Sequence, residues 1–529
     1  MMARSSFLCA VVLNLIFPPM AGRLQAAEPS SPKAAEICSG PFQPTWESLK
    51  QYKCPDWFRD AKFGMWAHWG PQAVPMCGDW YARDMYIEGS GDYKYHVAHY
   101  GHPSKFGYKD VIALWKAEKL DPDRLMALYK KAGARYFVSQ AVHCDNFDLW
   151  NSKFHKWNAV EMGPKRDIVG DWQKAARKLG LPFGVSEHVG YSRCWFQTSH
   201  GADKTGPLAG VPYDGADPKW QDLYHPLSKP NGCEYSNDAD WHEKWFVRMK
   251  DLVDQYRPDL FYTDGGVPFG VVGRQLVAHL YNVKATRNGN TDAVYTCKSI
   301  GSGEFVAGTC VQDMERGVLA GISPYPWQID TSIGDWYYKR DWKYRPVSWT
   351  VHMLVDVVSK NGNLLLNVVQ RPDGSLDAEV EQMLAQLAAW IEVSGEAIYG
   401  TRPWKICGEG KVQAKGEHFH EDFAYSAKDI RFTTKGATLY AIALGWPAEG
   451  KLRIRALARS GDGVNRISRI TLLGAAGDLK FNQDAKALEV TLPAQKPCKY
   501  TCTLKIVGDR LTPVTTTRLE PPPGQKVAD

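Results

Sequence analysis

The chain of 529 residues carries 64 Lys plus Arg against 58 Asp plus Glu, with 44% hydrophobic and 23% charged residues. That balance excludes wholesale disorder and collagen-like repeats. A mean hydropathy of −0.38 excludes a polytopic membrane protein, and a net charge of +6 over this length is far from the basic stripe of a nucleic-acid binder. Residues 1–27 have one early positive charge, Arg4, then an apolar run from Phe7 to Phe17, then small residues ending at Ala26 and Ala27. This is the pattern of a secretory signal peptide, and the run is shorter than the ~20 residues of a membrane span. It predicts a secreted or periplasmic mature protein. Residues 28–45, rich in Ser, Pro and Ala, read as a linker.

From 46 to 400, short apolar strands alternate with amphipathic helices. Ala61–Trp69 is apolar and ends in His-Trp-Gly-Pro, a turn signal. Asp121–Ala134 opens with an Asp-Pro cap, and Leu125, Leu128 and Tyr129 share one helical face. A strand over 135–142, a helix over 168–179 and a strand over 182–187 follow. An insertion over 190–238 is rich in Gly, Pro, Asp and Tyr. A helix over 240–256 then leads into a strand over 259–264, and the region closes with a helix over 375–393. Such βα alternation predicts a parallel sheet, and its length and insertions fit a (β/α)8-like TIM barrel.

After Gly400 the texture changes to alternating runs at 438–444, 452–457 and 488–492, which predict an antiparallel β-sandwich domain over 401–515. Residues 516–529, with Pro521 to Pro523, read as a disordered tail. Eleven Cys remain after signal removal, so at least one thiol is unpaired. Cys498 and Cys502, if both on one strand, would stand about 13 Å apart, too far for a direct bond.

Barrel chemistry sits at the C-terminal ends of strands. Those ends offer His68 and Trp69, then His143, Asp145 and Asp148, then Glu187 and His188, then Asp264 followed by two glycines. Converging carboxylates, imidazoles and indoles suit glycoside hydrolysis, in which two carboxyl groups flank the scissile bond and aromatic rings grip the sugar. Metal-assisted hydrolysis is the second reading, but a first-strand His-x-His pair is missing because Trp66 stands two before His68. Asp264 is the candidate nucleophile, with Gly265 and Gly266 giving room for substrate to approach. His96, His99 and His102 read as a surface loop rather than a metal site, since Gly101 and Pro103 stop a helix. Asn361, Asn363 and Asn367 read as turn and barrel-closure residues, while Trp195 and Trp220 in the insertion either bind sugar or cover the barrel.

Five segments carry a more specific signal: DWFRDAKFGMWAHWGPQAVP, AVHCDNFDLWNSKF, RPDLFYTDGG, PWQIDTSIGDWYY and DVVSKNGNLLLNVVQRPDG. Together, in this order, they resemble glycoside hydrolase family 29, the α-L-fucosidases, over about residues 57–404. The resemblance implies an exo-acting, retaining hydrolase of terminal α-L-fucosyl residues, with a TIM barrel, a C-terminal β-sandwich, a fucosylated glycan as substrate and no metal or cofactor. It implies Asp264 as nucleophile, His68 and His143 as sugar-binding histidines, and Trp336 beside the sugar's methyl group with Trp327 in the same motif. Glu315 is the expected acid/base, with Glu304 and Asp313 as runners-up. Trp69, Trp80, Glu187 and His188 are expected to line the sugar pocket, with a place behind its wall as the equal alternative for Glu187. Where the family has a second His, a Glu, a Glu and a Trp, this chain has Cys144, Asp79, Gln328 and Tyr262. These departures leave an α-L-galactoside or a sulfated fucoside open as substrate, and a binder without activity as a further alternative.

Overall fold

The computed structural model describes residues 36–228, 234–459 and 465–513. The expected signal (1–27) and tail (516–529) lie outside the described residues. Eight strands close a parallel barrel in sequence order: β1 Phe63–Ala67, β2 Tyr136–Val142, β3 Phe183–Glu187, β4 Leu260–Thr263, β5 Val294–Lys298, β6 Val311–Glu315, β7 Trp327–Ser332 and β8 Gly362–Asn367. β1 closes the ring by pairing with β8, with Gly64 opposite Leu365.

The local reasons are visible strand by strand. Gly64 on β1 is required by its neighbour, because a Cβ there would lie 2.2 Å from the Tyr136 ring. That ring reaches across to donate its hydroxyl to Gln328 Oε1 at 3.0 Å. Period-2 alternation then decides which side chains face inward. On β7, Gln328 and Asp330 make contacts across the barrel, whereas Trp327 turns the other way. It packs against Gly362 and Val357 and donates Nε1–H to the Lys360 carbonyl at 2.9 Å. The helix Pro122–Lys131 starts where the cap predicts, with Asp121 accepting from the Arg124 N–H.

A second unit of sheets follows. β9 Arg402–Glu409, β10 Ile430–Lys435, β11 Thr438–Ala443, β13 Arg466–Leu472 and β16 Cys502–Asp509 form a five-stranded antiparallel sheet in the order β13-β16-β11-β10-β9. β12 Lys451–Ile454, β14 Phe481–Gln483 and β15 Leu488–Thr491 form the smaller sheet, and the two enclose their own apolar core. The unit is fastened to the barrel helix Val347–Ser359 by a buried ion triad. Asp356 accepts from Lys360 Nζ at 2.7 Å and from Arg431 Nε at 2.5 Å. β9 and β10 are joined by residues 410–429, much longer than a hairpin turn, and this loop returns to the top of the barrel.

Several local expectations change. Residues 36–45 are docked chain rather than linker. Phe42 is buried, its N–H and C=O both bonded to the Asn282 side chain, and the Cys38 N–H meets His279 Nδ1 at 2.8 Å. His96 and His99 lie on the helix Gly91–His99, which ends before Gly101. His96 is buried, with Nδ1 2.7 Å from the Tyr81 hydroxyl and Nε2 2.8 Å from the Phe106 carbonyl, so both ring nitrogens serve packing. The run at 452–457 is a strand only to Ile454 and then turns into a 3-10 helix. Cys498 precedes β16 instead of sharing it with Cys502. Among the described residues no helix is long and apolar enough to cross a membrane.

Candidate active site

A cavity of about 410 Å³ opens at the C-terminal end of the barrel. Its floor comes from successive strand ends. His68 follows β1, His143 and Cys144 follow β2, His188 follows β3, Asp264 follows β4, and Lys298 and Glu315 end β5 and β6. Asp330 on β7 and Trp336 beyond it complete the ring.

The centre is a charge cluster. Lys298 Nζ lies 2.5 Å from Asp264 Oδ1 and 2.5 Å from Glu315 Oε2. His188 Nδ1 approaches Asp264 Oδ2 at 3.4 Å. The Tyr262 hydroxyl donates to Asp330 Oδ2 at 3.1 Å and lies 3.4 Å from Asp264 Oδ1. Desolvation alone would raise the Asp264 carboxyl, but the Lys298 ammonium and His188 outweigh it and hold it well below the usual carboxylate range. Glu315 goes the other way: burial raises it, Lys298 opposes, and the nearby Asp330 and Asp264 carboxylates push it up again. Lys298 is itself held charged, because the surrounding Asp264, Glu315, Asp330 and Asp313 more than offset its burial. Two carboxyl groups on one ammonium thus end with opposite tendencies, one ionised and one inclined to keep a proton.

Beside this cluster stand three imidazoles. The His68 and His143 ring centroids are 5.1 Å apart, and those of His143 and His188 4.6 Å. Burial, with the neighbouring histidines adding to it, holds His68 and His143 well below the ordinary histidine value, so both are neutral. Among the described residues, His68, His143 and His188 are the group whose donor atoms converge, all within 4.8 Å. The hydrogen bonding suits hydroxyl groups better than a cation. Gln72 Oε1 accepts from the Ala82 N–H, which turns the Gln72 amide nitrogen toward His143 Nδ1 at 2.9 Å. His143 Nε2 therefore carries the proton and faces the cavity as a donor. His68 Nδ1, His188 Nε2 and Asp79 Oδ1 are buried without a protein hydrogen bond. Trp66 and Trp336 meet edge to face at 5.5 Å, and Trp336 tilts against His68 at 5.4 Å.

Of the residues expected from sequence, Asp264, Glu315, His68, Asp79, Trp80, His143, His188, Tyr262 and Trp336 line this cavity. Three do not. Trp69 points away, donating Nε1–H to the Arg371 carbonyl at 2.9 Å and packing on Trp115. Glu187 sits on the opposite face of β3 from Ser186, accepting from the Gly190 N–H behind the wall, where burial raises its carboxyl to about 7. Trp327 faces the helix layer, as alternation on β7 requires. Of the runners-up for Glu315, Glu304 pairs with Arg274 at 2.6 Å away from the cavity. Asp313 lies one inward position deeper on β6, taking the Gln328 amide at 2.8 Å. Gln328 likewise lies beneath the site, whereas Cys144, Asp79 and Tyr262 touch it.

Of the two glycines after Asp264, Gly265 borders the cavity, as expected, whereas Gly266 does not, and packing requires both. A Cβ on Gly265 (φ +94) would meet the Tyr191 and Tyr235 hydroxyls, and one on Gly266 the Glu304 backbone. From the insertion, Tyr191 and Trp195 reach the cavity, whereas Trp220 stacks elsewhere under Lys109 and Lys219. Sequence reasoning missed Lys298, Asp330, Ile300 and Phe419. Lys298 was within reach, because a polar residue ending the apolar run VYTCK carries the same strand-end signal as His68, whereas Asp330 stands inside β7.

Comparison with known proteins agrees with this construction. The α-L-fucosidase family model matches residues 30–396 and the α-L-fucosidase C-terminal domain model matches 424–507. Tissue α-L-fucosidase of Homo sapiens is 27% identical over 517 residues, covering 94% of this chain and 97% of that protein. An α-L-fucosidase of Branchiostoma floridae is 28% identical over 88% of this chain and 96% of its own length. Thermotoga maritima α-fucosidase, solved in complex with fucose, superposes with a TM-score of 0.69 at 30% identity, over 88% of this chain and 100% of that one. The barrel, the second sheet unit and the family match agree, and the chain belongs to the α-L-fucosidase family of glycoside hydrolases.

Proposed function

We propose that the protein is an exo-acting, retaining α-L-fucosidase, with Asp264 as nucleophile and Glu315 as acid/base. The observation that carries this is the shared contact with Lys298. Two oxygens each 2.5 Å from one nitrogen stand within about 5 Å of each other, the separation of retaining rather than inverting glycosidases. Asp264, kept ionised, attacks the anomeric carbon while protonated Glu315 gives its proton to the leaving oxygen. The covalent fucosyl-enzyme is then opened by water, from which Glu315 takes a proton back. His143 Nε2–H, His68 and His188 are placed to bond the sugar hydroxyls, and Trp336 to cover its apolar edge.

Proton NMR of the first-formed fucose tests the stereochemistry. The α-anomer is expected before mutarotation, and a β-anomer appearing first would exclude the covalent route. The substrate is a terminal α-L-fucosyl residue of a glycan. The export reading of residues 1–27 is checked by N-terminal sequencing of the mature protein, which should begin at Glu28.

A further inference from the structure

The floor of the cavity is polar and recessed, but its mouth is apolar and exposed. Trp80, Ile300 and Phe419 line the cavity, yet are 38%, 47% and 65% exposed. Scattered exposed hydrophobics need no explanation, but three around one opening mark a place where something binds. Trp80 and Phe419 share a second peculiarity. Their φ values are +64 and +58, the left-handed region that bulky side chains disfavour. Strain of this kind persists where the surroundings over-determine it, as at ligand clamps.

The surroundings of Phe419 do so. Its N–H donates to the Glu315 carbonyl at 3.0 Å, and the Glu315 N–H donates to His418 Nδ1 at 3.1 Å. Two residues on, Glu421 accepts from Thr331 Oγ1 at 2.6 Å and pairs with Arg316 and Arg345, each at 3.2 Å. Gly317 leaves space for this loop, since a Cβ there would lie 2.2 Å from the Glu417 carbonyl. The loop between β9 and β10 is thus pinned to the ends of β6 and β7, and the pinning leaves a phenyl ring in the opening.

We infer that Phe419, with Trp80 and Ile300, forms the subsite for the leaving group, and that its occupant is the pyranose ring to which fucose is attached. The side of the site follows from Glu315. An acid that protonates the glycosidic oxygen stands next to the leaving group, and Phe419 is bonded to that residue's backbone. A pyranose offers an apolar C–H face, which an aromatic ring covers without displacing hydroxyl contacts. The second sheet unit is then part of the catalytic surface, supplying a wall that the barrel does not encode. This inference rests on the acid/base reading of Glu315.

The test compares two kinds of substrate. α-L-Fucosyl fluoride has no ring in its leaving group. The other substrate is the fastest-cleaved member of a panel of α-L-fucosyl-(1→2), (1→3), (1→4) and (1→6) hexose disaccharides. In Phe419→Ala, kcat/KM on the disaccharide should fall roughly two- to tenfold further than on the fluoride. Phe419→Tyr, which keeps the ring, should recover most of that difference. Equal losses on both substrates, or a Tyr variant as weak as Ala, would overturn the subsite. So would a wild type that cleaves the fluoride but none of the disaccharides. A wild type inert on the fluoride itself would instead overturn the hydrolase reading, and the subsite with it.

Discussion

The floor and the mouth of the cavity are built in opposite ways. His68, His143, His188, Asp264, Lys298 and Glu315 each sit at or just past the end of a barrel strand, so one repeated element sets six positions. Trp80, Ile300 and Phe419 come from three unrelated loops, one of them in the second sheet unit. The floor is recessed, and its charges compensate one another through short contacts. The mouth is exposed, and two of its three side chains, Trp80 and Phe419, stand on left-handed backbone. In this barrel the strand ends carry the charged groups, and the loops carry the exposed apolar ones.

The largest effect should come from the centre of the floor. Asp264→Ala removes the proposed nucleophile and should lower kcat/KM by roughly 10⁴-fold or more, with the fold intact by circular dichroism. Added azide should restore part of the turnover on an activated fucoside by entering the space of the lost carboxylate. Activity near wild type would dissolve the distinction between floor and mouth at its strongest point.

Glu315→Gln is the next step down, about 10²- to 10⁴-fold on substrates that need protonation and far less on the fluoride. Its pH profile is the sharper readout. Wild-type activity should rise with pH as Asp264 ionises, below the usual carboxylate range because Lys298 and His188 hold that group down. It should fall again as Glu315 loses its proton, above 4.5 because burial and the neighbouring carboxylates raise it. The Gln variant should lose the descending limb, and a descending limb that survives would move the acid role elsewhere.

Lys298→Met should shift both limbs upward, the acid limb by about one to three pH units, since the cation that opposes desolvation at both carboxyl groups is gone. An unmoved profile would show that Lys298 only fills space. The smallest effect belongs to the strap from the second unit. His418→Ala removes one hydrogen bond to the Glu315 backbone, worth about 0.5–1.5 kcal/mol, and should cost two- to tenfold in kcat with KM little changed. A loss as large as that of Glu315→Gln would mean that the mouth and the floor are not separable.

Legibility in the sequence follows the same division. Strands β1 to β4 were readable from their short, mostly apolar runs, and with them His68, His143, His188 and Asp264, because burial on both faces makes ionisable residues stand out at the ends. Lys298 carried the same signal on β5, in a run not read as a strand at all. Trp69 and Trp327 were expected in the pocket because of their motifs, and Glu187 because it ends a strand, with a place behind the wall as its alternative. One position along a strand or turn reverses the face, and all three look outward. Phe419 had no local signal, lying in a polar loop more than a hundred residues after Glu315.

By itself the sequence determined the alternation of short buried strands with amphipathic helices, the change of texture after Gly400, and the motifs of the α-L-fucosidase family. These are local properties, set by hydrophobic period and by which side chains a strand end tolerates. Only the tertiary structure decided that one ammonium holds both carboxyl groups, that burial and charge push them in opposite directions, and that a loop of the second unit bonds to the Glu315 backbone. Those depend on distances between residues far apart in the chain. Coulomb and desolvation energies follow distance in space and are blind to distance in sequence.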